Sequence, residues 1–171
     1  MDTYMVVLRI VHIVAGVFWV GAVFLLIGFI APTARELGPP AGPFLAHLAG
    51  KKRVTEVILA AAGLTILAGL LMYWRVSSGL DADWIGSAPG VALTVGAICG
   101  IVAFVIGLTV VRPTNQATLA LGREIADGGG PPTPEQASRM QALQARGRTT
   151  GRVLVPLLLI AVAAMASARY L

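Results

Sequence analysis

Four long apolar runs alternate along the chain with polar connections rich in Gly and Pro. A helix needs roughly 20 mostly apolar residues to cross the hydrocarbon core of a bilayer, with a usable range of about 17 to 25. Four stretches meet that requirement: about Tyr4 to Ile30, Val54 to Trp74, Val91 to Val111 and Val153 to Ala168. The first stops at Ala31-Pro32, the third is closed by Arg112-Pro113, and the fourth is short unless it continues to Leu171. The runs are unbroken and rich in Ala, Leu and Gly, without the period of two that marks barrel strands. The pattern therefore predicts an all-α chain, one transmembrane domain over residues 1–171 built as a four-helix bundle. A signal peptide is a poor reading of the first run, because Asp2 stands where basic residues would be and the apolar core is too long.

The connections carry structure of their own. Gly38-Pro39-Pro40 and Gly42-Pro43 break the chain, and the absence of breakers after Phe44, Gly50 apart, predicts a second helix that starts ahead of the membrane with Pro43 in its first turn. Thr114 to Asp127 reads as an extension of the third helix, Gly128 to Pro132 as a turn, and Pro134 to Arg148 as a helix returning to the fourth span. Leu119, Leu121, Ile125, Met140 and Leu143 give this helical hairpin apolar surface, which suits either a solvated hairpin or a docking face.

Composition reinforces the membrane reading. Hydrophobic residues make up 57% of the chain and charged ones 12%, and the mean hydropathy is +0.82, which leaves no room for a separate soluble catalytic domain. The net charge of +5 would by itself be compatible with nucleic acid, but its distribution points elsewhere. Ten of the 13 basic residues lie in two connections: Arg35, Lys51, Lys52 and Arg53 in one, and six between Arg112 and Arg152 in the other. By the positive-inside rule both are cytoplasmic, so the bundle is expected in the cell inner (plasma) membrane as a multi-pass, N-out/C-out protein with a cytoplasmic hairpin. Tyr4, Tyr73, Trp74, Trp84 and Tyr170 then fall near the outer boundary, as an aromatic belt would. The expected partners are the lipid bilayer and either further copies of the chain or a larger membrane complex.

Polar and ligating side chains inside a bilayer are costly and are the natural candidates for function. Met5, Arg9, His12, Gly16, Trp19 and Val23 share one face of the first helix. Gly16 leaves a notch there, open either to a flat ligand or to a neighbouring helix. Counted from Tyr4 at ~1.5 Å per residue, His12 lies roughly 12 Å below the outer surface. Cys99 is expected at a similar depth, with Met72 and Met165 nearer the boundary. One His, one Cys and several Met form a soft donor set suited to monovalent copper, although each sulfur also reads as packing. Haem iron is the other client for His12, since neutral imidazole is a standard axial ligand. His47, the other histidine, is expected at the opposite membrane face with Lys51, Lys52 and Arg53, a cluster suited to lipid headgroups. Glu56 is expected to pair with Lys52 at i, i+4. Asp81 and Asp83 read as a solvated loop or a metal-capture pair. No nucleophile motif, phosphate loop or paired buried carboxylate appears, which argues against hydrolysis and phosphoryl transfer.

The segment HIVAGVFWVG, His12 to Gly21, resembles the CopD-like superfamily of small helical membrane proteins, which includes the copper-resistance D domain. The likeness continues less sharply through KKRVTEVILAAAGLTILAGLLMYW (Lys51 to Trp74) and GAICGIVAFVIGLTVVRPTNQ (Gly96 to Gln116). The chain is most similar to members of that superfamily with no assigned function. The same His and Trp spacing looks like the first helix of HemJ-type protoporphyrinogen oxidases. The resemblance implies a role for His12, Trp19 and Gly21: copper handling on the first comparison, redox chemistry on a porphyrin on the second. The third span carries no lysine of the kind expected in HemJ-type proteins. Three expectations result: a copper or haem b protein centred on His12, a porphyrin-linked oxidoreductase, and an accessory subunit without chemistry. An enzyme is the less favoured of these.

Overall fold

The computed structural model describes residues 2–171, and all the regular structure among them is helical. Four helices are long and apolar enough to cross a membrane: α1 (Thr3–Leu37), α3 (Val54–Val76), α5 (Ala88–Asp127) and α6 (Pro134–Tyr170). Two shorter pieces connect them, α2 (Gly42–Ala46), which runs on as a wide turn over His47–Lys51, and α4 (Ala82–Gly86).

α1 lies chiefly against α3, and α5 chiefly against α6; the two pairs join through α3 and α5, with a smaller contact between α1 and α6. All three seams are antiparallel. Gly16 faces Thr65 while Gly69 faces His12, and Gly63 faces Phe104 while Gly107 faces Leu59. On the α5–α6 seam Gly96 meets Ala161 and Met165, and Glu124 accepts from Gln136. Small residues set these close approaches, as expected where lipid removes the hydrophobic drive and packing must hold helices together. Ala62, Ala68 and Ala103 are among the most deeply buried side chains, and the central cluster adds Trp19, Val23, Ile58, Leu154 and Leu158. Large apolar residues such as Val14, Val17, Phe18, Phe29, Leu64 and Leu67 point outward instead. In water that surface would be an aggregation liability, whereas lipid tails solvate it at no cost.

Helix boundaries depart from the sequence expectation in two places. The first helix does not stop at Pro32 but continues to Leu37 through a widened turn at Leu26–Ile30. A proline lacks an N–H and its ring presses on the carbonyl four residues back; opening the turn ahead of it relieves both. The same device, over Gly107–Val111, carries α5 past Pro113 into the expected extension. The second membrane helix does not begin at Pro43: Arg53 adopts φ 50 in the left-handed region, and α3 starts afresh at Val54. That break also removes the expected Lys52–Glu56 pair, because the two residues no longer share a helix. The sole ion pair among the described residues joins Arg139 and Glu124 at 3.7 Å.

α5 and α6 both run past the apolar windows and touch again through Gln136 and Glu124. Leu121 is buried, and Leu119, Ile125, Met140 and Leu143 are half-buried, so most of the apolar surface expected on these arms is already packed. Thr133 caps α6: its Oγ1 accepts from the Gln136 N–H while the Gln136 side chain accepts from the Thr133 N–H. At the other end of the bundle, Asp81 accepts from the Trp84 N–H and caps α4. Tyr73 meets Trp84 edge to face at 5.5 Å and hydrogen-bonds the Thr94 hydroxyl.

Candidate functional site

His12 is placed by two residues of α3 that lie one turn apart. Gly69 has no side chain, and the imidazole occupies the space: a Cβ at 69 would stand 2.9 Å from His12 Cε1. Thr65 supplies its backbone carbonyl, 2.8 Å from His12 Nδ1. The Thr65 hydroxyl is turned away, donating to the Ala61 carbonyl at 2.8 Å. Gly16, one turn further along α1, admits the Thr65 methyl, which would be 3.3 Å from a Cβ there. The notch at Gly16 is thus filled by the neighbouring helix rather than left open to a ligand.

The hydrogen bond decides the tautomer. A carbonyl oxygen can only accept, so Nδ1 carries the proton, and in the neutral ring Nε2 keeps its lone pair. No side chain or backbone group among the described residues bonds Nε2, and no buried side-chain nitrogen or oxygen is left unsatisfied. Nε2 is accordingly reachable from outside the helix pair, since His12 is only half-buried. An imidazole whose Nδ1–H is anchored on a carbonyl and whose Nε2 is open has the arrangement metal-ligating histidines share.

The depth of His12 follows from its partner. The antiparallel register sets His12 opposite Gly69 and Gly16 opposite Thr65, and Gly69 lies seven residues before the Val76 end of α3, about 10 Å at ~1.5 Å per residue. His12 therefore sits in the half of α3 nearer Val76, close to the depth that a count from Tyr4 indicates.

The remaining candidates distribute unevenly around it. Met5 and Met72 are half-buried, and the antiparallel register of α1 and α3 brings them to neighbouring levels, toward the Thr3 end of α1. Met165 belongs to the other helix pair, packed against Gly96 across the α5–α6 seam. Cys99 is a half-buried free thiol on α5. Arg9 is exposed, and Trp19 is 6% exposed and enclosed in the central cluster, where it packs the seams. His47 is exposed on the turn ahead of α3, with the first eleven residues of α3 between its level and that of Thr65. Asp81 is used as a helix cap and Asp83 is exposed. Among the described residues no three of His, Cys, Asp or Glu come together.

Thr65 was not apparent in the sequence as part of the site. Its signal was faint, a Thr and a Gly four apart on an otherwise apolar helix, which also describes ordinary close packing. Two clefts, of about 330 and 290 Å³, lie away from His12: one bounded by Phe29, Leu37 and Phe44, the other by Arg53, Glu56 and Arg123. Comparison with protein-family models, curated proteins and solved structures gives no match.

Proposed function

We propose that this chain is a CopD-like integral membrane protein of the inner membrane that binds a metal centre through Nε2 of His12, with haem b as the favoured group. One observation carries the reading: Nδ1 of His12 donates to the Thr65 carbonyl, leaving Nε2 oriented and without a protein partner inside the apolar length of the bundle. A buried carbonyl partner of this kind fixes ring orientation and raises ligand basicity.

Haem is favoured over copper on the disposition of the donors. One anchored imidazole suffices as an axial haem ligand, whereas monovalent copper calls for several soft donors around one point. Here Met165 is engaged on the other seam. Bound at His12, haem would supply a one-electron redox centre; the protein's own part is to hold the imidazole, through Thr65 and Gly69, and to exclude water with the apolar faces of α1 and α3. In the orientation proposed, both termini lie outside and the arms of α5 and α6 beyond the membrane lie in the cytoplasm, following the basic residues.

The optical spectrum of the protein purified from membranes tests the proposal. The expected result is a Soret band that disappears in His12→Ala while the variant keeps its helical circular dichroism. A colourless wild-type protein that binds monovalent copper in a His12-dependent way would replace haem by copper. A protein that binds neither would leave the accessory-subunit reading.

A further inference from the structure

The cleft at the Val54 end of α3 gathers three charges that no ion pair accounts for. It measures about 290 Å³, and Gly50, Arg53, Glu56, Gln116 and Arg123 are among its walls. Arg53 immediately precedes the apolar length of α3, so the cleft stands at a membrane boundary. Its left-handed backbone turns the chain there, and its side chain makes no cap bond to the helix. Arg123, on α5, reaches over Gly50, its Nη2 3.7 Å from where a Cβ would be. Glu56 is half-buried in the first turn of α3. Asn115 Nδ2 donates to Thr55 Oγ1 at 3.0 Å, which fixes the α3–α5 register and brings Gln116 alongside Glu56. Arg53, Arg123 and Glu56 face one cleft, yet none is within ion-pair distance of a partner among the described residues.

Two guanidiniums and one carboxylate around an open cleft complement a ligand with a phosphate and a primary ammonium. Arginine matches phosphate oxygens with paired N–H donors, and the Gln116 amide can supply another. A carboxylate accepts from an ammonium N–H, which a quaternary amine lacks, and it repels a purely anionic headgroup. We infer that the cleft binds the phosphoethanolamine headgroup of an aminophospholipid, with the phosphate on Arg53 and Arg123 and the ammonium on Glu56. The headgroup lies nearly flat at the bilayer surface, where both ends can reach their partners. This site is independent of His12 and of any metal.

Native mass spectrometry of the full-length protein tests the assignment, with phosphatidylethanolamine, phosphatidylcholine and phosphatidylglycerol of identical acyl chains, and soluble phosphoethanolamine as competitor. Phosphatidylethanolamine should be retained about tenfold better than the other two, the worth of one charge-assisted hydrogen bond. Glu56→Gln should abolish that preference, and Arg123→Gln should weaken retention of all three. Arg123 is exposed, so its variant carries the test even where Glu56→Gln folds poorly. Equal retention of the three lipids by the wild-type protein, or a preference that survives Glu56→Gln, would overturn the inference. Displacement of the lipid by an equal concentration of soluble phosphoethanolamine would overturn the lipid as its source.

Discussion

Gly69→Ala is the sharpest probe of the His12 site, because it adds one methyl group at the point where α3 cradles the imidazole. The new Cβ would stand 2.9 Å from Cε1 and 3.0 Å from Nδ1 of His12, against about 3.5–4.0 Å for an unstrained contact. The ring must retreat by roughly 0.5–1 Å, which stretches the 2.8 Å bond from Nδ1 to the Thr65 carbonyl past useful geometry. Losing that bond costs about 1 kcal/mol and the crowding about 1–3 kcal/mol, partly offset by the ~1 kcal/mol advantage of Ala over Gly in a helix. Stability should therefore fall by only about 1–3 kcal/mol, since the atoms that must move belong to a side chain. The larger effect falls on the ligand: loss of the partner that orients a metal-binding histidine typically lowers metal affinity about 10–100-fold. Two measurements separate these effects. Thermal unfolding in detergent reads the packing, and ¹⁵N NMR of the His12 ring reads the tautomer whether or not a metal is bound. Gly63→Ala is the control, for its Cβ would meet Phe104 at an ordinary 3.9 Å. A Gly69→Ala protein that keeps the Nδ1–H tautomer and binds its metal as the wild type does would refute the reasoning.

Two further outcomes are expected. Gly96→Ala should destabilise the α5–α6 pair by about 1–3 kcal/mol, because its Cβ would lie 2.8 Å from Met165 Cγ and 3.2 Å from the Ala161 carbonyl; adding Met165→Ala should recover only part of the melting temperature, since the backbone contact remains. An alkaline phosphatase fusion at the C-terminus should be active and a green fluorescent protein fusion dark, given the bias of basic residues toward two connections, and the reverse pattern would invert the orientation.

The four apolar helices were legible from the sequence because hydropathy over some 20 residues reports directly on the cost of placing a segment in lipid. Proline positions misled at Pro32, where a widened turn carries the helix past the missing N–H, and the smooth run from Phe44 to Arg53 hid a left-handed break. Such local backbone choices depend on what the neighbouring helices make of the space, and no single-residue preference announces them.

Membrane character, helix number and the candidacy of His12 were determined by the sequence alone, since each depends on composition along one helix. Tertiary structure decided which residues His12 meets. Gly69 and Thr65 become its cradle only when α1 and α3 pack antiparallel in one register, and the same packing closes the Gly16 notch and encloses Trp19. Likewise Arg123 is far in the chain from Arg53 and Glu56, and only the α3–α5 seam gathers their charges around one cleft. A site built across helices depends on register, and register is set by how small and large side chains interlock between helices rather than by the order of residues along any one of them.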